Sequence, residues 1–367
     1  MNNKALLQDA ITLLREMVRT SSLSRQEEQV CRLISSSLDS WGIKHLVRRN
    51  NIIAVNKNYN PALKTLALDA HIDTVPANKG YTRDPFSPGD EKDIIYGLGS
   101  NDDGGSVVSM IAAFRHFYEA VGLPFNLMLV LSCEEECSGP NGARWLYGEG
   151  GYFELEGELP MPEWVIVGEP TGMKAAVSER GLLVIDAQAH GVSGHVARNE
   201  GVNALYIALD DINVLRQHRF SRYSELMGEV RMNVTMIQAG KVHNVVPESC
   251  DFVIDIRPTE QYTNAEILEE LQGICKSTLK ARNLSNRSSA VGPCSELLSR
   301  VKEMGIETFS SPTTSDWMLI RSDAIKMGPG DSTRSHKADE YIRVEEISEA
   351  IDIYISFIEH FYGNTVE

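Results

Sequence analysis

The stretch TLALDAHID, Thr65 to Asp73, runs apolar and then ends in a histidine and an aspartate two residues apart. Thr65 to Ala70 reads as a buried strand of a parallel sheet, and open α/β sheets place their chemistry at the carboxyl ends of their strands. His71 and Asp73 then lie at the rim. An imidazole that binds a metal through one nitrogen needs an acceptor for its other N–H, and a carboxylate two residues on can supply one. The commoner use of His-x-Asp at a strand end is a surface hydrogen bond, so the rest of the chain has to decide.

Asn126 to Ser132, NLMLVLS, is a second buried strand, and it breaks straight into Glu134-Glu135-Glu136. Three adjacent acids repel one another unless cations or protons neutralise them. Charge runs are usually solvated faces, but a solvated face seldom interrupts a core strand. Trp164 to Val167 is a third strand, closed by Gly168-Glu169-Pro170. Asn101-Asp102-Asp103-Gly104-Gly105 opens a long helix beginning near Ser106, where an acid either caps the helix or bridges two cations. His336 lies in the loop GPGDSTRSHKADE ahead of a last helix.

Two imidazoles and four carboxylates (His71, Asp102, Glu135, Glu136, Glu169 and His336) gathered at one sheet edge make a poor structural cluster and a good site for two divalent ions. Two Zn²⁺ against three ligating carboxylates and a hydroxide come close to neutrality, which leaves one carboxylate free as a base. Ions ~3.5–4 Å apart, sharing a carboxylate and a water, would generate a nucleophile at neutral pH and clamp an oxyanion.

The elements that must position these groups follow from periodicity. Ala5 to Val18 and Glu28 to Trp41 carry apolar residues at helical spacing, and Ile43 to Val55 reads as a strand pair turning near Asn50-Asn51. After Ser178 the pattern changes. Leu182 to Ala189, Val230 to Ile237 and Cys250 to Ile256 read as strands, Asn203 to Leu215 and Ala265 to Leu279 as helices, and polar Ala281 to Ala290 as an exit. This block is expected to form a separate α+β unit with a one-sided sheet. The parent pattern resumes with a helix through Val301, a strand around Ile325 to Met327 and a helix from Val344 to Phe361. The expected fold is α/β, a mixed and mostly parallel sheet flanked by helices. Residues 1–178 and 291–367 form its two parts, with an insert at 179–290.

A length of 367 residues suits two domains, and 42% hydrophobic with 23% charged residues is a globular composition. The net charge of −16 argues against nucleic acid, whose phosphates reward clustered Lys and Arg. No window approaches a membrane span, and MNNKALLQDAITLLREM lacks the apolar block of a signal peptide. The six cysteines are scattered, and Cys133 and Cys137 flank the acids without forming a zinc knuckle. They read as reduced thiols of a cytoplasmic protein.

The ordered set LALDAHIDTVP, GLGSNDDGG, LSCEEECSGPNGA, VIVGEP, GVSGHVA and HKADE, spread over almost the whole chain, resembles the co-catalytic zinc amidohydrolases. These include acetylornithine deacetylase, succinyl-diaminopimelate desuccinylase and the aminoacylase and carboxypeptidase enzymes. The resemblance implies a zinc-exopeptidase-like catalytic domain, two Zn²⁺ per subunit for which Co²⁺ can substitute, and a homodimer formed through an inserted lid domain. It implies His71, Asp102 and Glu169 on one zinc and Asp102, Glu136 and His336 on the other, with Asp73 orienting His71 and Glu135 as general base. Glu134-Glu135 is the rival pair. The family's Asp-Glu-Glu order, and the six-residue gap from the last acid to Gly142-Ala143, favour Glu134 as the family's Asp.

Within the insert, His195 matches a histidine that in dimeric members reaches the neighbouring site and binds the oxyanion. Asn244 and Arg257 resemble lid residues that grip a substrate carboxylate, although Arg257 has Asp255 and Glu260 as nearer partners. Two departures from the family stand out. Asp103-Gly104-Gly105 replaces Met-Lys-Gly or Asp-Lys-Gly, and Arg334 sits two residues before His336, placed to tune that ligand or to meet an acidic substrate. The reaction implied is hydrolysis of an N-acyl-L-amino acid, with acetylornithine or acetylated or succinylated citrulline of arginine synthesis first. Desuccinylation of diaminopimelate, and dipeptidase or aminoacylase activity, are the rivals. A zinc-dependent binding protein without catalysis is the alternative from another class, and Glu135, unneeded for holding metal, counts against it.

Overall fold

The structure is a computed structural model, and it describes residues 3–156 and 159–363. The chain divides into two compact units. One comprises the chain up to Val177, Val291–Phe309 and the chain from Ser315 onward; the other comprises Ser178–Ala290 and Ser310–Thr314.

The first unit is built on a mixed sheet. Its strands run in the order His45–Arg48, Asn51–Val55, Asn126–Ser132, Thr65–His71, Trp164–Val167, Asp323–Lys326, Ala175–Glu179. The central four are mutually parallel. They are buried on both faces, as parallel strands between helical layers must be. Alternation along Thr65–His71 sends Leu66, Leu68 and Ala70 to one face. There they pack with helices Asn3–Arg19, Gly104–Phe117 and Val344–Gly363. Ala67 goes to the other face, against Ala143–Tyr147 and the 3₁₀ turn Asp316–Leu319. The antiparallel pair at the sheet edge turns at Arg49 and Asn50, whose φ values of 50° and 65° suit a tight hairpin.

The second unit is a four-stranded antiparallel sheet in the order Arg231–Ala239, Ser249–Arg257, Leu183–His190, Thr278–Ala281. Helices Ala204–Gln217 and Asn264–Gln272 bury one face, and Leu183–His190 alternates buried and open residues accordingly. One element departs from the sequence expectation: the helix expected over Ala265 to Leu279 stops at Gln272. Gly273 follows as its cap, and the chain is then pinned by Asp211, whose carboxylate accepts from the N–H groups of Lys276 and Ser277 and from the Ser277 hydroxyl. Thr278–Ala281 leaves that anchor extended, as an edge strand.

Among the described residues, no helix is long and apolar enough to cross a membrane.

Candidate metal centre

Every residue of the cluster lies in the first unit, at or just beyond the carboxyl ends of the parallel strands. His71 closes its strand, Glu135 and Glu136 follow Asn126–Ser132, and Glu169 follows Trp164–Val167. Asp102 precedes the helix Gly104–Phe117 across a cis Asp102–Asp103 peptide, and His336 sits in the loop before the last strand and helix. Donor atoms of His71, Asp102 and Glu169 lie within 4.8 Å of one another, and so do those of Asp102, Glu136 and His336. Asp102 is common to both groups.

The orientations of the two imidazoles bear on what could lie between these donors. His71 Nδ1 donates to the backbone carbonyl of Asp73 at 3.0 Å, which turns the Nε2 lone pair toward Asp102 Oδ1, 3.3 Å away. Two lone pairs facing each other require a cation between them, whether proton or metal. His336 Nε2 is 2.9 Å from Glu136 and 3.8 Å from the second oxygen of Asp102. Burial opposes a charge on His71, yet hydrogen bonds to Asp102 and Asp73 raise its pKa well above the usual imidazole range. The hydrogen bond from His336 to the Glu136 carboxylate raises the pKa of His336. Burial pushes Glu135 well above the usual carboxylate range, and Glu169, Asp316 and Glu136 add repulsion. Glu169 is raised by burial and by Asp102, with Lys326 opposing. Asp102 is lowered, because His71, with Ser335 and His336, outweighs its burial. Imidazole nitrogens and carboxylate oxygens, converging without lysine or arginine among them, suit borderline divalent cations.

Asp73 has a wider role than the expected one. Its carboxylate lies 3.6 Å from His71, whereas it accepts the backbone N–H groups of Glu135 at 2.9 Å and Glu136 at 3.2 Å, and the Ser24 hydroxyl at 2.6 Å. Fully buried, it fixes the backbone of both acids. Glu134 turns away, with a φ of 58°. Its carboxylate accepts from the backbone and side-chain amides of Asn141 at 3.1 and 2.8 Å. Glu135 and Glu136 are thereby left as the acids associated with His71 and His336.

The remaining expected residues lie in the second unit. His195 is exposed, accepts from the Ala197 N–H at 3.2 Å, and pairs in a two-residue ladder with Val245. Asn244 is exposed and its carbonyl accepts from Val196 at 3.4 Å. Arg257 forks onto Asp255 at 2.8 and 3.1 Å, one of the two nearer partners its sequence neighbourhood offered. Arg334, in the first unit, forks onto Glu346 and stacks over Tyr341, so its guanidinium is occupied.

Several groups around the centre had no part in the sequence reading. Asp69, inside the central strand, is fully buried and pushed up to about 7 by that burial; it accepts from the Tyr147 hydroxyl. Asp316 accepts from Ser132 at 2.9 Å. Lys326 is buried on the strand beside Trp164–Val167. An acid within LALDAHID was the one visible signal for this layer.

The chain belongs to peptidase family M20/M25/M40, whose model matches residues 67–360, and it is therefore an amidohydrolase. It is 26% identical to the acetylornithine deacetylase of Myxococcus xanthus, over 89% of this chain and 87% of that one. Succinyl-diaminopimelate desuccinylase 2 of Ruegeria sp. is 23% identical over 97% and 96%. Among solved structures, an M20 family metallo-carboxypeptidase from Sulfolobus solfataricus superposes with a TM-score of 0.74 at 17% identity, covering 96% of this chain and 99% of that one. A dinuclear metal-binding peptidase from Bacillus subtilis gives 0.72 at 17%, covering 98% of each.

Proposed function

We propose that this chain hydrolyses the amide bond of an N-acyl-L-amino acid, N-acetylornithine first, using two divalent cations held by His71, Asp102, Glu136, Glu169 and His336. The observation that carries the reading is the pair of donor groups sharing Asp102, with Glu135 beside them. The names of the relatives, deacetylase and desuccinylase, support the substrate class. Two Zn²⁺, or Co²⁺ in their place, held by those residues would supply an acidified water and a Lewis acid for the acyl carbonyl.

Glu135 takes the proton that the attacking water loses and returns it to the amide nitrogen as the C–N bond breaks. Asp73 keeps the Glu135 backbone in place by its hydrogen bond. In a homodimer formed through the second unit, His195 donates to the developing oxyanion, and Asn244 and Arg257 bind the substrate carboxylate.

The test is an amine-release screen of N-acetyl and N-succinyl ornithine, citrulline and diaminopimelate with added zinc or cobalt. Hydrolysis of the succinylated diaminopimelate alone would move the assignment to the desuccinylase branch. Glu135→Gln should still bind two ions while turnover falls by about 10²–10⁴-fold. Full activity in that variant would remove Glu135 from its role.

A further inference from the structure

The loop carrying Asp102 and the loop carrying His336 hold each other by side chains that bind the opposite backbone. Glu340, only 2% exposed, accepts from the N–H groups of Gly99 at 3.1 Å, Asn101 at 2.9 Å and Asp102 at 2.9 Å, and its own carbonyl accepts from Gly97 at 2.8 Å. In the other direction, Asn101 bonds both backbone groups of Asp331: its Oδ1 accepts from the N–H at 2.9 Å and its Nδ2 donates to the carbonyl at 3.2 Å. The same Nδ2 reaches the Ser335 hydroxyl at 3.4 Å, beside His336. Asn101 is also fully buried.

His336 is the ligand most in need of such a hold. His71 and Glu169 come off the ends of buried strands, whereas His336 is on a loop, its side chain 55% exposed, and its φ of 59° lies in the left-handed region disfavoured for a non-glycine residue. Asp102 and His336 approach to 3.8 Å from two loops that these hydrogen bonds tie together. The geometry points to Asn101 and Glu340 as positioning residues that set the affinity of one ion position, that of Asp102, Glu136 and His336. The position of His71, Asp102 and Glu169 shares only Asp102 with these loops and keeps two ligands on strand ends, so it weakens less. This inference rests on the two-ion reading above.

The experiment is calorimetric titration of the chelator-stripped full chain with Zn²⁺ alone, for the unaltered protein, Glu340→Gln and Asn101→Ala. Thermal unfolding of each metal-free protein is recorded in parallel. Glu340→Gln keeps the volume but sets an amide among three N–H donors, and Asn101→Ala leaves the Glu340 carboxylate intact, so one variant covers for the other if it fails to fold. Two ions are expected in the unaltered protein. A folded variant should bind the second about 10–100-fold more weakly and the first with a clearly smaller loss. Two ions at unaltered affinity in the folded variants would overturn the inference, as would equal weakening of both positions. An unaltered protein that takes up no zinc would instead overturn the two-ion reading itself.

Discussion

A single methyl group at Gly142 tests whether the acidic triplet is as closely set as the structure shows. A Cβ built there falls inside the contact radius of the Cys133 carbonyl oxygen and lies 2.9 Å from its carbonyl carbon. Carbon atoms ordinarily rest at ~3.5–4.0 Å, so the carbon contact alone asks for roughly 0.6–1.1 Å of separation between the two segments, and the nearer oxygen asks for more. They cannot part freely. The Cys133 N–H donates to Asn51, whose amide also binds the Asn141 carbonyl, and Asn141 in turn holds Glu134. The displacement therefore passes to Glu135 and Glu136, one and two residues beyond Glu134. A shift of ~1 Å in a reacting group costs about 100-fold in rate, and overpacking of this kind destabilises by about 1–3 kcal/mol. Gly142→Ala is compared with Gly292→Ala, at which an added Cβ meets nothing within 4 Å. Turnover in the amine-release assay should fall about 100-fold in the first and stay unaltered in the second, with the urea midpoint lowered only in the first. Equal activity and equal midpoints would refute the coupling between the Gly142 backbone and the two acids.

Two further outcomes follow from buried polar groups away from the donor atoms. Tyr147→Phe removes the hydroxyl that donates to the fully buried Asp69, whose other oxygen has no hydrogen-bond partner among the described residues; urea denaturation should show a loss of about 1–3 kcal/mol. No loss would mean that Asp69 finds another donor. Burial lowers the pKa of His116, so the folded chain takes up that proton less readily than the unfolded chain. Its contribution is complete above the unfolded value of ~6.5 and is lost as the pH falls through the lower folded one. His116→Leu should flatten the acid limb of the stability profile below that pH, and identical limbs would dismiss the shift.

What was legible in the sequence was what local pattern controls. Runs such as NLMLVLS and WVIV are strands because an apolar run with no helical period must be buried on both faces, and both are found as such. The helix expected to reach Leu279 was misread because Ile274, Leu279 and their neighbours continue an apolar rhythm past Gly273. The Asp211 carboxylate that pins the chain beyond the Gly273 cap comes from another helix, 65 residues earlier in the chain from Lys276. The acids and imidazoles of the cluster were visible as residue types at strand ends and in flanking loops. Glu340 and Asn101 were not, because their partners are backbone groups 230 to 241 residues away, and a backbone group leaves no mark in residue types.

The acidic triplet shows most clearly where residue types cease to suffice. Glu134, Glu135 and Glu136 are chemically identical and adjacent, so composition gives no basis for choosing among them. The differences come from the backbone: a left-handed φ at Glu134 and a Gly-Pro-Asn turn whose Asn141 offers two amide donors carry that carboxylate toward the turn. Asp73 then takes the next two N–H groups in succession, one on each of its oxygens, which fixes where the next two residues start. One aspartate thus touches His71 through its carbonyl and both remaining acids through its carboxylate. An Asp73→Asn change would therefore disturb the proposed ion ligands and the proposed base together, whereas Glu135→Gln alters the proposed base alone, and this difference makes Glu135→Gln the cleaner probe of proton transfer.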